Sequence, residues 1–304
     1  MILVTGASGE VGSRVVEGLL AGGQPLRVFT RGSDDWRGTS VAGLRDRGAE
    51  TILADIRDPN MVNRAVTGCK AVINMSGILR RSADCAFEDV HVDGVRNLVA
   101  AAEGAGVQRF IHMSCLTASG GESAYGESRR QGEEIVKAGR FHWTIFRPSY
   151  IFGDRFALLE MVAPLLVKPP VVPVVGGGLN IIQPIHADDV AACVLQSIYS
   201  RDTAGQVYDL VGPDRVSILQ LFQSALKVLA DGGKEKPTIT VPTAVALKAV
   251  RVTGRVLPAV PITADVLEHL ISDSVADPMP MLTSFKVAMR PLSESMDRLT
   301  KSVG

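Results

Sequence analysis

The stretch MILVTGASGEVG, residues 1–12, limits the possible folds more than any other part of the chain. A short β-branched run, Ile2 to Val4, leads directly into Gly6, Gly9 and Gly12. Val11, Val15 and Leu19 then fall at helical spacing until Gly22 and Gly23 stop the helix. A strand, a glycine turn and a helix in that order aim free N–H groups and the positive end of a helix dipole at one point. Such a point suits a phosphate. An ordinary strand-to-helix turn is the alternative reading.

The first half continues in the same rhythm. Leu26 to Phe29, Thr51 to Ala54, Ala71 to Asn74, Arg109 to His112 and Trp143 to Phe146 read as further strands separated by helical patterns, and Val207 to Val211 reads as a later one. With right-handed crossovers this is an α/β, doubly wound parallel sheet of the Rossmann kind. After RPSYIFG, residues 147–153, the pattern becomes proline-rich and apolar. The expected division is a nucleotide-binding domain over 1–153 rejoined by 181–212, with a smaller, mostly helical region over 154–180 and 213–304. Asp188 or Asp189 is expected to cap the helix that follows, and Ser217 with Gln220 forms a capping box. From Pro237 onward one strand and three helices are expected.

Thirty-two basic residues balance thirty-two acidic ones, so no overall field draws the chain to nucleic acid or to an anionic membrane. Cys69, Cys85, Cys115 and Cys193 are scattered without metal-site spacing, which fits reduced thiols in the cytoplasm and no metal. The apolar run from Phe156 to Val175 is broken by Glu160, Lys168 and four prolines, too often for a spanning helix. With a strand at the very start, no leader peptide is expected.

Several motifs occur in a telling order: GxxGxxG at 6–12, ADIRDP at 54–59, INMSG at 73–77, GVRNLVAAAEGAGVQRFIHMS at 94–114, FRPSYIFG at 146–153 and PIHADDVA at 184–191. Together they resemble the extended and atypical branches of the short-chain dehydrogenase/reductase superfamily. The resemblance implies that Gly6, Ser8, Gly9, Glu10, Val11 and Gly12 meet the pyrophosphate and that Asp55 and Ile56 lie by the adenine. It also sets Met75, Ser76 and Gly77 along the nucleotide, with Pro148 and Ser149 near the nicotinamide. Asn97 and Asp189 are better read as loop ties and a helix cap. NAD-specific members carry an acid at the end of the second strand, where this chain has Thr30 followed by Arg31. A guanidinium pairs bidentately with a 2′-phosphate, so NADP(H) is expected over NAD(H). Asp34 or Asp35 folding back as the acid is the other reading.

Tyr125 stands four residues before Arg129, one helical turn. In family reductases a tyrosine and a lysine at this spacing perform acid–base chemistry on the substrate oxygen. Arginine keeps the charge and the ribose hydrogen bonds but does not readily release a proton. The third catalytic position falls within HMSCLTAS, where either Ser114 or Cys115 can occupy it. The pair is therefore expected to grip the nucleotide, with Tyr125, Arg129 and Ser114 as the catalytic set should the site turn over. The tail, VPITADVLEHLISDSVADP at 260–278 and MRPLSESMDRL at 289–299, is similar to the nucleotide-binding accessory subunit of respiratory complex I and its bacterial relatives. That implies a structural or sensory nucleotide; the alternative is an active NADP(H)-dependent oxidoreductase on a carbonyl or an isoprenoid or quinone-like substrate. Residues 243–257 carry Lys248, Arg251 and Arg255 among valines and leucines. They suit either a helix packed on its own domain or a peripheral contact with a membrane or a protein complex.

Overall fold

The computed structural model describes residues 1–32, 41–120, 123–167, 169–229, 236–253 and 264–294, and the chain divides into two compact units. The first contains residues 1–148, 187–210 and 278–288. Its strands are β1 (Ile2–Thr5), β2 (Leu26–Thr30), β3 (Glu50–Leu53), β4 (Ala71–Asn74), β5 (Arg109–Met113), β6 (His142–Pro148) and β11 (Gln206–Leu210). They form one sheet in the order β11-β6-β5-β4-β1-β2-β3, and every neighbouring pair is parallel. The order reverses between β1 and β4, the switch point at which such sheets take ligands. Strands β1 and β4 are buried along their whole length, which is why they read as continuous apolar runs.

Helices α1 (Glu10–Ala21), α2 (Val41–Asp46), α3 (Pro59–Val66), α4 (Gly94–Gly104), α5 (Ala124–Lys137) and α7 (Ala187–Tyr199) belong to this unit. Asp58 caps α3 by accepting from the N–H groups of Asn60 at 2.9 Å and Met61 at 3.2 Å. Helix α7 already starts at Ala187, ahead of both expected caps, so Asp188 and Asp189 both stand inside its first turn. Asp188 pairs with Arg14, and Asp189 accepts from the N–H of Ala288 at 3.0 Å. Helix α11 (Met279–Ser284) also belongs to the first unit, although the sequence pattern grouped it with the tail. Phe285, just beyond it, packs edge-on against Tyr208 and Phe146 with ring centres 4.9 and 5.5 Å away, a long-range contact that no local pattern announces.

The second unit contains residues 149–186, 211–277 and 289–304. Its strands come in short pairs. These are β7 (Ile151–Phe152) with β10 (Ile185–His186), β8 (Val172–Val175) with β13 (Thr238–Val241), and β9 (Ile181–Ile182) with β12 (Val216–Ser217). Helices α6 (Ala157–Val167), α8 (Ile218–Leu229), α9 (Thr243–Thr253) and α10 (Ala264–Leu270) complete it. Phe152, Phe156, Leu166, Leu221 and Val172 lie in one apolar core. The Lys236 ammonium donates to the carbonyls of Leu166 and Pro169 at 3.1 and 3.0 Å, and to that of Val167, closing the end of α6. The Ser217–Gln220 capping box forms reciprocally, at 2.8 and 3.1 Å. Among the described residues, strand β13 and helices α9, α10 and α11 match the one strand and three helices expected after Pro237. No helix among the described residues is long and apolar enough to cross a membrane.

Candidate nucleotide-binding site

The glycines between β1 and α1 do different work. Gly6 has φ +66°, and a Cβ there would lie within hard contact of the Met75 carbonyl; one on Gly12 would strike the Gly6 carbonyl. The chain's own backbone thus demands both residues. Gly9 has φ −75° and meets only the Gly6 carbonyl, at 3.3 Å. Its open side faces a cavity of about 400 Å³. Gly9 caps α1 without a side-chain bond, so the first N–H groups of Glu10, Val11 and Gly12 have no side-chain acceptor at the cap. An anion can take that role.

Four strand ends line this cavity, through Gly6, Ser8 and Gly9 after β1, Arg31 after β2, Asp55 and Ile56 after β3, and Met75, Ser76 and Gly77 after β4. Arg31 is exposed at the rim, with no hydrogen bond or ion pair to a described residue. Asp34 and Asp35 lie outside the described residues. Asp55 accepts from the Arg57 backbone N–H at 2.9 Å and from its guanidinium at 3.1 and 2.9 Å. Partial burial raises the Asp55 pKa, but those bonds outweigh it and hold the carboxyl below its ordinary value.

Behind the β4 end the polar residues are buried. The Asn74 carbonyl oxygen accepts from the Thr5 hydroxyl at 2.7 Å and the Ser76 N–H at 3.1 Å, while its amide donates to His112 Nδ1 at 3.1 Å. That leaves the His112 Nε2–H buried without a partner among the described residues. Burial, then the nearby Arg129 charge, lowers the His112 pKa to about 3. The N–H of Ile78 donates to His91 Nε2 at 3.1 Å, which sets the tautomer and leaves Nδ1–H for Ser128 Oγ at 2.9 Å. Burial and Arg129 drive the His91 pKa far down as well, so both imidazoles are neutral.

Tyr125 and Arg129 share one face of α5, with the guanidinium carbon 5.3 Å from the centre of the tyrosine ring. Arg129 Nη1 donates to the carbonyls of Ser76 at 3.3 Å and Met113 at 3.2 Å, bridging the ends of β4 and β5. Nη2 lies where a Cβ on Gly77 would be, so a side chain there would have to displace the guanidinium, and Nε is buried without an acceptor among the described residues. The Arg129 side chain props the cavity wall from behind. Burial raises the Tyr125 pKa, and the Arg129 charge offsets this only in part. The ring packs edge-on against Phe87 and His91 at 5.4 and 5.5 Å and shares a cluster with Cys115.

Ser114 is turned to other partners: its hydroxyl donates to Glu133 at 2.6 Å, and Glu133 also binds Arg147 at 2.8 and 2.6 Å. Burial raises the Glu133 pKa, but these bonds outweigh it and keep the carboxyl below its ordinary value. Of the two residues offered by HMSCLTAS, it is Cys115 that packs with Tyr125. Burial also raises the pKa of its thiol, so Cys115 stays protonated at neutral pH.

The cavity does not include Pro148 and Ser149 among its lining residues. Pro148 ends β6 opposite Leu210 of β11. Ser149 opens the second unit, with its hydroxyl 3.0 Å from the Ser274 carbonyl and 2.9 Å from the Ser274 hydroxyl. Asn97 ties a loop, donating to the Ile56 and Arg57 carbonyls at 3.2 and 3.4 Å. Sequence reasoning missed Ile78, Val90 and the supporting Asn74, His91 and His112. The available signal was a polar residue at the end of an otherwise apolar strand, as in AVIN and RFIHM. No group of three or more His, Cys, Asp or Glu among the described residues is placed to hold a metal ion.

Residues 6–200 match the family described as NAD(P)H-binding. The 40 kDa subunit of mitochondrial NADH-ubiquinone oxidoreductase from Neurospora crassa is 26% identical over 277 residues, 90% of this chain and 72% of that protein. A ceramide reductase from Caulobacter vibrioides is 31% identical over 193 residues, 63% of this chain and 59% of that protein. The chain spans about half to two thirds of the length of several curated relatives. Among solved structures, the UDP-glucuronic acid 4-epimerase of Bacillus cereus, in complex with UDP-glucuronic acid and NAD, shares the fold. Its TM-score is 0.73 at 16% identity, over 99% of this chain and 98% of that one.

Proposed function

We propose, for a chain that belongs to the NAD(P)H-binding family, that it holds NADP(H) in the first unit as a structural or sensory cofactor, in the manner of an accessory subunit of a respiratory NADH dehydrogenase. One observation carries this reading: Arg129 stands where family reductases use a lysine, and it donates to two backbone carbonyls and presses on Gly77. A guanidinium held in this way supports the nucleotide's wall and does not pass a proton. Ser114, bound to Glu133, gives no hydroxyl to Tyr125. The site residues are Gly6, Ser8, Gly9, Glu10, Val11 and Gly12 at the pyrophosphate, and Asp55, Ile56, Met75, Ser76 and Gly77 along the nucleotide.

The choice of NADP(H) rests on Arg31, an exposed cation at the cavity rim following Thr30. Calorimetric titration of NADPH and NADH tests it. Arg31→Ala is expected to weaken NADPH binding by roughly 1.5–3 kcal/mol, the range for hydrogen bonds to charged groups, and to leave NADH unchanged. Equal affinity of the wild type for both nucleotides contradicts the assignment.

The same reading makes the chain a peripheral, cytoplasmic component of a larger assembly. Ala246 and Val250 of α9 are buried in their own unit's core, while Val245 and Lys248 are exposed and form the edge available for a contact. Residues 254–257 and the Arg251 side chain lie outside the described residues. The 31% identity to a ceramide reductase favours the second reading, an active NADP(H)-dependent oxidoreductase. Turnover on a carbonyl decides between the two.

A further inference from the structure

We infer that the second unit binds the hydrocarbon tail of a single-chain anionic amphiphile of the fatty-acid type, in an apolar cavity beneath α9. The cavity has a volume of about 250 Å³ and lies among α6, β8, α8, β13, α9 and α10. Every described residue lining it is apolar. Leu165 and Phe222 belong to the buried core, and the small side chains of Ala246 and Ala249 on α9 leave the space open. Protein interiors rarely keep voids larger than a water molecule. A void lined only by hydrocarbon stays dry and takes apolar guests.

The lining also selects the ligand. No described side chain in the cavity can donate or accept a hydrogen bond, so a polar head has no place inside. At about 30 Å³ per water-sized group, the space takes a run of roughly eight carbons. One tail fits and two do not, which separates a fatty acid from a two-chain membrane lipid. Val245 lines the cavity and is 57% exposed, so the cavity opens to solvent at that point on α9. Lys248 follows three residues later, on the neighbouring position of the same helix, exposed and without a hydrogen bond or ion pair to a described residue. Its ammonium supplies the counter-charge for a carboxylate held at the mouth.

All of these residues belong to the second unit, and the inference does not rest on the nucleotide reading. The probes are decanoate and decanol, each titrated by calorimetry into the full chain below its aggregation concentration. Decanoate is expected to bind at one saturable site, more tightly than decanol, with the negative heat-capacity change of apolar burial. Ala249→Phe, which fills the cavity, is expected to abolish both. Lys248→Glu is expected to weaken decanoate about two- to fivefold, the scale of an exposed ion pair, and to leave decanol unchanged. NADPH affinity stays constant throughout. Where Ala249→Phe fails to fold, the decanoate and decanol comparison in Lys248→Glu decides alone. Absence of saturable decanoate binding, decanoate affinity unchanged by Lys248→Glu, or binding to phosphatidylcholine vesicles without binding to the monomeric probes overturns the proposal.

Discussion

The two units solve the burial problem in different ways. At its strand ends the first unit buries His91, His112, Arg129 and Glu133 and wires most of their polar atoms to named partners. The second unit packs aromatic and aliphatic side chains around a hydrocarbon-lined cavity. A buried polar group is costly unless its bonds are made, so the first unit specifies residues one by one. An apolar core asks mainly for volume and hydrophobicity and tolerates many combinations. Function that depends on geometry belongs to the first unit for that reason.

The contrast breaks most sharply at the glycines. Gly12→Val drives a side chain into the Gly6 carbonyl, backbone that has nowhere to yield. A loss of about 3 kcal/mol or more is expected, at or beyond the upper range for overpacking, with nucleotide binding lost as well. Gly9→Ala, only one turn away, sets its Cβ 3.3 Å from the same carbonyl and weakens the cap, so a loss of about 1 kcal/mol is expected, well below that of Gly12→Val, while NADPH affinity falls. Denaturation and titration of both variants check this pair. Equal destabilisation by the two substitutions would show that Gly9 serves the fold and not a ligand.

Acid comes next. The His112 pKa in the folded chain, about 3, lies below the ordinary 6.5, so its contribution to stability is complete above pH 6.5 and is lost as the pH falls toward 3. His91 acts in the same direction. Trp143, on β6, belongs to the first unit, so its fluorescence reports that unit. The urea midpoint read by tryptophan is expected to drop between pH 7 and pH 4, with a shallower slope in His112→Gln. A slope unchanged by that substitution removes His112 from the account.

In the second unit, Leu166→Ala deletes a fully buried side chain and is expected to cost about 2–5 kcal/mol. NADPH affinity is expected to stay at the wild-type value in titrations of the folded variant. A parallel fall in affinity would show that the units are not as separable as their cores suggest. The smallest change is Arg129→Lys, which keeps the charge but lacks Nη2 and reaches less far than the Nη1 that holds both the Ser76 and the Met113 carbonyl. A loss of about 1 kcal/mol is expected, the net value of one hydrogen bond, together with weaker NADPH binding.

The same contrast explains what the sequence disclosed. Strands β1 to β6 and β11 were legible because buried parallel strands are β-branched runs punctuated by glycine, and the glycine turn was legible because its spacing follows from backbone contact. The pairing of β8 with β13 was not, because its register joins Val172 to Thr238 across 66 positions without a local signal. Two-residue strands such as β7 and β10 fall below any periodicity. Motif order pointed to Asp55, Met75 and Gly77, which line the cavity, but left the choice between Ser114 and Cys115 open. One residue of register turns a side chain to the opposite face of a strand, and only the Glu133 bond reveals which face each took.

We propose that the first unit holds NADP(H) without turning it over. It is tested most directly by following the absorbance of NADPH bound to the wild-type chain in the presence of excess aldehydes, ketones and quinones. The reduced nucleotide is expected to persist, with oxidation far slower than about 1 per second, the low end of ordinary enzymatic rates. Oxidation at that rate or faster with any of these carbonyls would contradict it.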